Sequence, residues 1–135
     1  MKKIVVIDGQ GGKIGSLLVG RLKATAEGYE IYAIGTNSIA TAAMMKAGAD
    51  YGATGENPTV VNCRDADIIV GPIGIVVADS LVGEVTPAMS VAIGQSGAQK
   101  VLLPVNRCNI YLAGAREIPV GDLIDSALAF IAQIA

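Results

Sequence analysis

Hydrophobic and polar positions along the first fifty residues follow two alternating periods. Residues 3–7 (Lys-Ile-Val-Val-Ile) form a short β-branched run, which is typical of a strand buried on both faces. From Lys13 the apolar residues recur on one helical face, and Gly28 supplies a stop. The succession then repeats, with a strand over 30–34 and a helix that Ser38 can cap. This alternation predicts parallel strands joined by right-handed crossovers.

The remainder of the chain predicts more elements of both kinds. We expect strands over residues 51–54, 67–70 and 100–105, and an edge strand over 110–113. We expect helices over residues 75–82, over 87–96 with Thr86 as its cap, and over 120–134. Asn57-Pro58 favours one or two helical turns over 59–64, although Thr59-Val60-Val61 is also β-prone. The predicted fold class is α/β: a three-layer αβα, Rossmann-like, doubly wound domain over residues 1–135, with a mostly parallel sheet of five to six strands.

A glycine-rich turn separates the first strand from the first helix. Gly9, Gly12 and Gly15 stand at GxxGxxG spacing, which permits a tight turn, close approach of a ligand and close packing of helix on strand. The helix start offers free N–H groups and partial positive charge to an anion, and Lys13 adds a cation at its mouth. No Walker A spacing follows. The alternative is a tight turn that holds no ligand.

This turn resembles that of the dihydrodipicolinate-reductase-like Rossmann proteins, in which glycines at this spacing hold a nicotinamide dinucleotide. The resemblance implies NAD or NADP as the cofactor, with its pyrophosphate on the three glycines. Two features depart from the dinucleotide pattern. Thr36 and Asn37 stand where an acidic residue usually binds the ribose, and Asp8 adds a negative charge beside the expected phosphate.

Polar and glycine-rich segments follow several predicted strands. In a sheet ordered 3-2-1-4-5 the first and fourth strands are neighbours, and ligands bind beyond their carboxyl ends. We therefore expect one crevice, with ordinary turns and a solvated arginine as the alternative. Its expected lining is Gly9, Gln10, Gly11, Gly12, Lys13, Ile14, Gly15, Thr36, Asn37, Gly71, Pro72, Gly74, Asn106 and Arg107.

Composition limits the classes of partner. Charged residues are 16% of the 135-residue chain and hydrophobic residues 52%, so we expect a homo-oligomer, most simply a dimer. An alanine- and glycine-rich core that needs few charges is the alternative. A net charge of −2 with 4% aromatic residues argues against nucleic acid, and no apolar run is long enough to cross a membrane.

Few side chains suggest catalysis or metal binding. The chain has no histidine, and Cys63 and Cys108 form no CxxC pair, so we expect reduced thiols in a cytoplasmic protein. Cys108 is a candidate nucleophile if its pKa is lowered, but a buried thiol is favoured. Asp79 and Glu84 could join Asp8 around a metal, but surface or capping roles are favoured and we assign no metal site.

Five motifs spread over the chain resemble a family of short bacterial proteins of unknown function, number 3842. They are Asp8-Gly9-Gln10-Gly11-Gly12, Gly35-Thr36-Asn37, Ala53-Thr54-Gly55-Glu56-Asn57, Gly71-Pro72-Ile73-Gly74 and Asn106-Arg107-Cys108-Asn109. The resemblance runs nearly end to end and implies a bacterial α/β domain. It implies no activity.

The leading hypothesis is a small module that binds the phosphate of a nucleotide or dinucleotide. One alternative is a homo-oligomeric NAD(P)-dependent oxidoreductase, or another enzyme on a small anionic substrate, with Asp8, Lys13, Arg107 or Cys108 taking part. Another is a structural or regulatory subunit without ligand. Binding at the turn requires open amides at the start of the first helix. An Asp8 side chain lying over them would remove that basis.

Overall fold

The computed structural model describes residues 1–25, 27–105 and 109–134. Five strands alternate with five α-helices and one 3₁₀ turn. The elements are β1 (Lys2–Asp8), α1 (Lys13–Thr25), β2 (Tyr29–Gly35), α2 (Ser38–Lys46), β3 (Tyr51–Thr54), α3 (Glu56–Cys63), β4 (Ile68–Pro72), the 3₁₀ turn Ile73–Val76, α4 (Pro87–Gln95), β5 (Gln99–Leu103) and α5 (Val120–Ile134).

The strands form one parallel sheet in the order β3-β2-β1-β4-β5, which is the order on which the expected crevice depends. β1 lies at its centre, where Ile4, Val5 and Val6 pair with β2 on one side and β4 on the other. These residues are fully buried. The β-branched run that predicted a two-sided buried strand therefore occupies the position that requires one.

Helices cover both faces of the sheet. One apolar cluster joins the sheet to α1, α2 and α5 through residues such as Leu18, Met44 and Ile124. The other joins the opposite face to α3 and α4 through Cys63 and Ile93. The architecture is a three-layer αβα, Rossmann-like fold, as predicted from the alternating periods.

Helix starts differ from the prediction at two places. Asn37, not Ser38, caps α2, because its side-chain oxygen accepts a hydrogen bond from an amide of the first turn. α3 begins at Glu56, so Asn57 and Pro58 lie inside its first turn rather than before it. A proline costs little there because the amides of a first helical turn have no intrahelical acceptor.

Two predicted elements do not form in the described part of the chain. The predicted helix over 75–82 is replaced by the 3₁₀ turn and a loop in which Asp79, Leu81 and Val82 have positive φ. Residues 110–113 form no strand: half-buried and exposed side chains alternate there as in a strand, but no neighbouring strand pairs with them. The described sheet has five strands.

Two glycines let α1 start directly against α2. Gly12 has a φ of +72°, and a Cβ built on it would lie 2.8 Å from the Cα of Ala40. A Cβ on Gly15 would lie 2.5 Å from the sulfur of Met44. Both distances are shorter than real contacts allow, so packing of α1 on α2 requires glycine at these positions.

Gly12→Ala should lower the free energy of unfolding by more than about 2 kcal/mol, because it combines a left-handed backbone with a backbone collision. Gly20→Ala is the matched control within α1: a Cβ there meets nothing within 4 Å, so the variant should gain roughly 0.5–1 kcal/mol. Urea unfolding measures both. Equal effects of the two substitutions would contradict the packing requirement.

Candidate functional site

The chain connections after β1 and β4 leave the sheet in opposite directions. α1 follows β1 and packs on one face, whereas α4 follows β4 and packs on the other. This reversal between neighbouring parallel strands creates a crevice above their carboxyl ends, which is where folds of this class bind ligands. The predicted adjacency of the glycine turn and the Gly71–Gly74 segment is confirmed by the sheet order.

The carboxylate of Asp8 occupies the start of α1. One of its oxygens accepts a hydrogen bond from the Gly9 amide at 2.8 Å, and the other accepts from the Gly15 amide at 2.7 Å. Gly15 is the third residue of α1, whose amide an N-cap side chain would normally bind, but Gly12 before the helix has no side chain. Asp8 performs that capping from the end of β1.

The amides of Gly9 and Gly15, which were expected to face solvent, are therefore occupied by the chain's own carboxylate, and the expectation is wrong for these two. The physical reason is that Asp8, the last residue of β1, places its carboxylate beside the partial positive charge of the helix start. Burial raises the pKa of Asp8, hydrogen bonds from Gly15 and Gly9 lower it in part, and the charge of Glu84 raises it further, so that it lies above its ordinary value.

A second carboxylate, Glu84, lies over the same turn. Its Oε1 atom accepts three hydrogen bonds, from the Gln10 amide at 2.8 Å, the Thr36 hydroxyl at 2.6 Å and the Asn37 side-chain amide at 2.9 Å. The donors come from the β1–α1 and β2–α2 turns. They converge on one oxygen, which is the arrangement that binds a negatively charged oxygen strongly.

These bonds change the acidity of Glu84. Burial alone would raise its pKa, but the hydrogen bonds from Gln10, Thr36 and Asn37 outweigh burial, and the pKa lies below its ordinary value of 4.5. Glu84 is therefore ionised at neutral pH. The crevice holds a negative charge of its own.

The loop over residues 79–85 brings Glu84 to the crevice. Leu81 and Val85 are buried and form a small apolar cluster with Met89 of α4. A Cβ built on Gly9 would lie 2.7 Å from Leu81 Cδ1 and 2.8 Å from Glu84 Oε1. This loop therefore covers Gly9, and a side chain at Gly9 would prevent the contact.

Little free space remains at the turn. A cavity of about 70 Å³ is bounded by the 8–14 segment and Leu81. It has room for about two water molecules, at roughly 30 Å³ each, and not for a nucleotide. Lys13 lies at its edge and is exposed. With the 79–85 loop in this position, the cavity does not accommodate a ligand of nucleotide size.

Other residues that were predicted to line the crevice have packing roles instead. Gly71 is buried, and a Cβ on it would collide with the backbone oxygen of Ile7, so it serves the approach of β4 to β1. Pro72 and Gly74 are also buried, and the Gly74 carbonyl accepts a hydrogen bond from Ser80. Asn106, Arg107 and Cys108 lie outside the described residues.

Sequence reasoning missed Glu84 and Leu81 as crevice residues. The sequence suggests Glu84 only as a metal ligand beside Asp79 and Asp8, and it favours surface or capping roles over that one. In residues 1–25, 27–105 and 109–134, no group of three or more metal-binding side chains is arranged around a common point. A usable signal is the short distance along the chain between Glu84 and the Gly71–Gly74 segment, which the sequence predicts at the carboxyl edge of the sheet.

Among the larger grooves in the described part of the chain, two lie between helices, away from this edge. One, of about 490 Å³, lies between α1 and α5 near Tyr29, and another, of about 420 Å³, lies between α3 and α4 beside Cys63. Burial raises the pKa of the Cys63 thiol to about 11, which leaves it protonated and poorly nucleophilic. A buried, protonated thiol is consistent with a structural role for Cys63. No helix of the described chain is long and apolar enough to cross a membrane.

The fold and the crevice define a Rossmann-like α/β domain with a self-occupied strand-end site. The chain belongs to the family described as Domain of unknown function (DUF3842), whose model matches residues 3–135. A search of curated proteins finds no match. Solved structures similar to the chain include a dodecameric FMN-dependent UbiX-like decarboxylase from Escherichia coli O157:H7, at 17% identity and a TM-score of 0.47, covering 98% of this chain and 93% of that one.

Glu84→Gln should be less stable than the wild type at neutral pH by about 1 kcal/mol, because a neutral amide accepts the three bonds less strongly. The folded pKa of Glu84 lies below its unfolded value, so its contribution is full above about pH 4.5 and is lost as the pH falls through the folded pKa. Urea unfolding between pH 7 and pH 3 should show the difference between the two proteins shrinking.

The exposed residue Glu117 provides the control, since Glu117→Gln should leave stability unchanged at neutral pH. A difference between wild type and Glu84→Gln that stays constant or grows on acidification would contradict the role assigned to the charge.

Proposed function

We propose that this chain is a small-molecule-binding module whose ligand carries an anionic oxygen, most simply the phosphate of a nucleotide or dinucleotide. The observation that supports this is the convergence of Gln10, Thr36 and Asn37 on one carboxylate oxygen of Glu84. In the ligand-bound state a phosphate oxygen takes the position of Glu84 Oε1. The anion site is thereby moved from the amides at the helix start to the three donors beside them.

The electrostatics of the crevice tolerate this exchange. Asp8 alone would repel an anion, but the site already holds the ionised Glu84 next to it. Replacing one negatively charged oxygen by another changes the local charge little. Lys13 lies at the edge of the crevice, where its ammonium can approach the remaining phosphate oxygens.

A nucleotide is favoured over free phosphate by the surroundings of the three donors. Thr36 and Asn37 follow β2, at the position where a dinucleotide fold meets the ribose. Once Glu84 leaves, their hydroxyl and amide groups are available to sugar hydroxyls as well as to phosphate. NAD and NADP are the first candidates on the resemblance of the glycine turn, with Gln10 of that turn and Thr36 and Asn37 after β2 as the contacting residues.

Glu84→Ala should bind the ligand at least about tenfold more tightly than the wild type, because the competing carboxylate is gone. Isothermal titration of both proteins against NAD, NADP, FAD, FMN, ATP and inorganic phosphate measures this. Thr36→Val in the Glu84→Ala background should weaken the same binding by about tenfold, because it removes one donor.

Glu117→Ala is the control and should bind as the wild type does. Absence of binding by folded Glu84→Ala at millimolar concentration of every compound would refute the proposal. Binding of inorganic phosphate with no gain from the nucleoside would restrict the ligand to a small anion.

A structural or regulatory subunit without ligand is the second candidate. It is favoured by the packing of Gly9, Gly12 and Gly15, each of which contacts the chain's own side chains or backbone so closely that no ligand is needed to explain it. The titration separates the two candidates, because this one expects no binding by Glu84→Ala.

We further propose that residues 1–135 form one domain and that it self-associates, most simply as a dimer. The proposal rests on apolar side chains exposed on and beside α5, among them Ile118, Val120 and Phe130. Sedimentation at micromolar concentration should show a dimer that Phe130→Glu dissociates, and a monomeric wild type would contradict it.

A cytoplasmic location is proposed on the free, buried thiol of Cys63.

A further inference from the structure

The loop that carries Glu84 has an unusual backbone. Asp79, Leu81 and Val82 have φ angles of +66°, +55° and +57°, and Gly83 follows at +86°. Three consecutive residues, 81–83, therefore turn in the left-handed sense. Only glycine adopts this conformation without a steric cost, and consecutive non-glycine residues in it are rare.

Val82 is the least suited of these residues. Its β-branched side chain crowds the backbone in the left-handed region more than an unbranched one does. The side chain is 96% exposed, so no packing contact offsets that cost. The closed loop therefore contains strain that its own contacts at Val82 do not relieve.

Contacts on either side of Val82 hold the loop closed. Leu81 and Val85 are buried against Met89, and the Ser80 hydroxyl donates to the Gly74 carbonyl. Glu84 accepts the three hydrogen bonds described above. These contacts hold the strained segment on both sides of Val82. The hydrogen bonds accepted by Glu84 are among them. Backbone strain of this kind persists only where the surroundings over-determine it.

We propose that the 79–85 loop is a displaceable plug, which fills the anion site with its own carboxylate and is strained so that the closed state is only marginally favoured. Opening releases the strain at Val82 and frees the donors of Gln10, Thr36 and Asn37 together. The ligand class is an anion able to accept from all three donors, and it binds in competition with Glu84. This inference rests on the proposed function for the identity of the competitor, but the plug itself can be tested without any ligand.

Hydrogen exchange at the Gln10 amide reports opening directly, because that amide donates to Glu84 in the closed state. Val82→Asn and Val82→Gly relieve the strain, since asparagine and glycine accept positive φ. Each should slow exchange at Gln10 by between about fivefold and thirtyfold. Val82→Ile is the matched control: it keeps the β-branch at an exposed position and should exchange at the wild-type rate.

The same variants should weaken binding of ATP or inorganic phosphate by the factor by which they slow exchange, because the ligand must displace a more stable plug. Unchanged or faster Gln10 exchange in Val82→Asn and Val82→Gly would overturn the inference. The inference would also be overturned if the wild-type Gln10 amide exchanged only through global unfolding, because the loop would then have no separate opening.

The two proposals fail in different ways. Slowed exchange in Val82→Asn and Val82→Gly, with no binding of ATP or phosphate by Glu84→Ala, would establish the plug and refute the proposed function. Binding by Glu84→Ala without any effect of the Val82 substitutions on exchange would establish the anion site and refute the strained plug.

Discussion

The carboxylate of Asp8 bridging the amides of Gly9 and Gly15 is the interaction on which the rest of the site depends. Gly12 cannot cap α1 because it has no side chain, and α2 lies too close for one to be added. The capping charge must therefore come from the end of β1. Burial of that charge raises the pKa of Asp8, while the two amides keep the cost of burial tolerable.

With Asp8 bound at the helix start, three neighbouring donors converge on the carboxylate of Glu84. Gln10 belongs to the same turn but its amide points to Glu84, in company with Thr36 and Asn37. Asn37 also caps α2 and donates to the Gln10 carbonyl, so the two turns are fastened to one another. The three-donor site is rigid for this reason, and the 79–85 loop above it is the part whose backbone is strained.

The glycine spacing illustrates how one pattern serves two purposes. Gly9, Gly12 and Gly15 correctly predicted a tight turn between β1 and α1. The spacing also predicted close approach of a ligand to the backbone, whereas the structure fills each place with the chain's own atoms: Leu81 and Glu84 at Gly9, Ala40 at Gly12, Met44 at Gly15. Local spacing reports that a side chain is excluded. It does not report what excludes it, because these excluding atoms lie between 28 positions (Gly12 to Ala40) and 75 positions (Gly9 to Glu84) away along the chain.

Periodicity in the sequence by itself determined the αβα architecture, the burial of β1 on both faces and the extent of α5, because burial on one or both faces is encoded in the local spacing of apolar residues. The strand order is visible only in the folded sheet. The predicted helix over 75–82 does not form, because Asp79, Leu81 and Val82 have positive φ. Long-range contacts impose these backbone angles, and apolar composition cannot reveal them. Tertiary structure alone decided that Asp8 and Glu84 occupy the crevice. Both are acidic residues at ordinary positions in the sequence, and only the folded sheet brings their carboxylates onto the amides and hydroxyls that bind them.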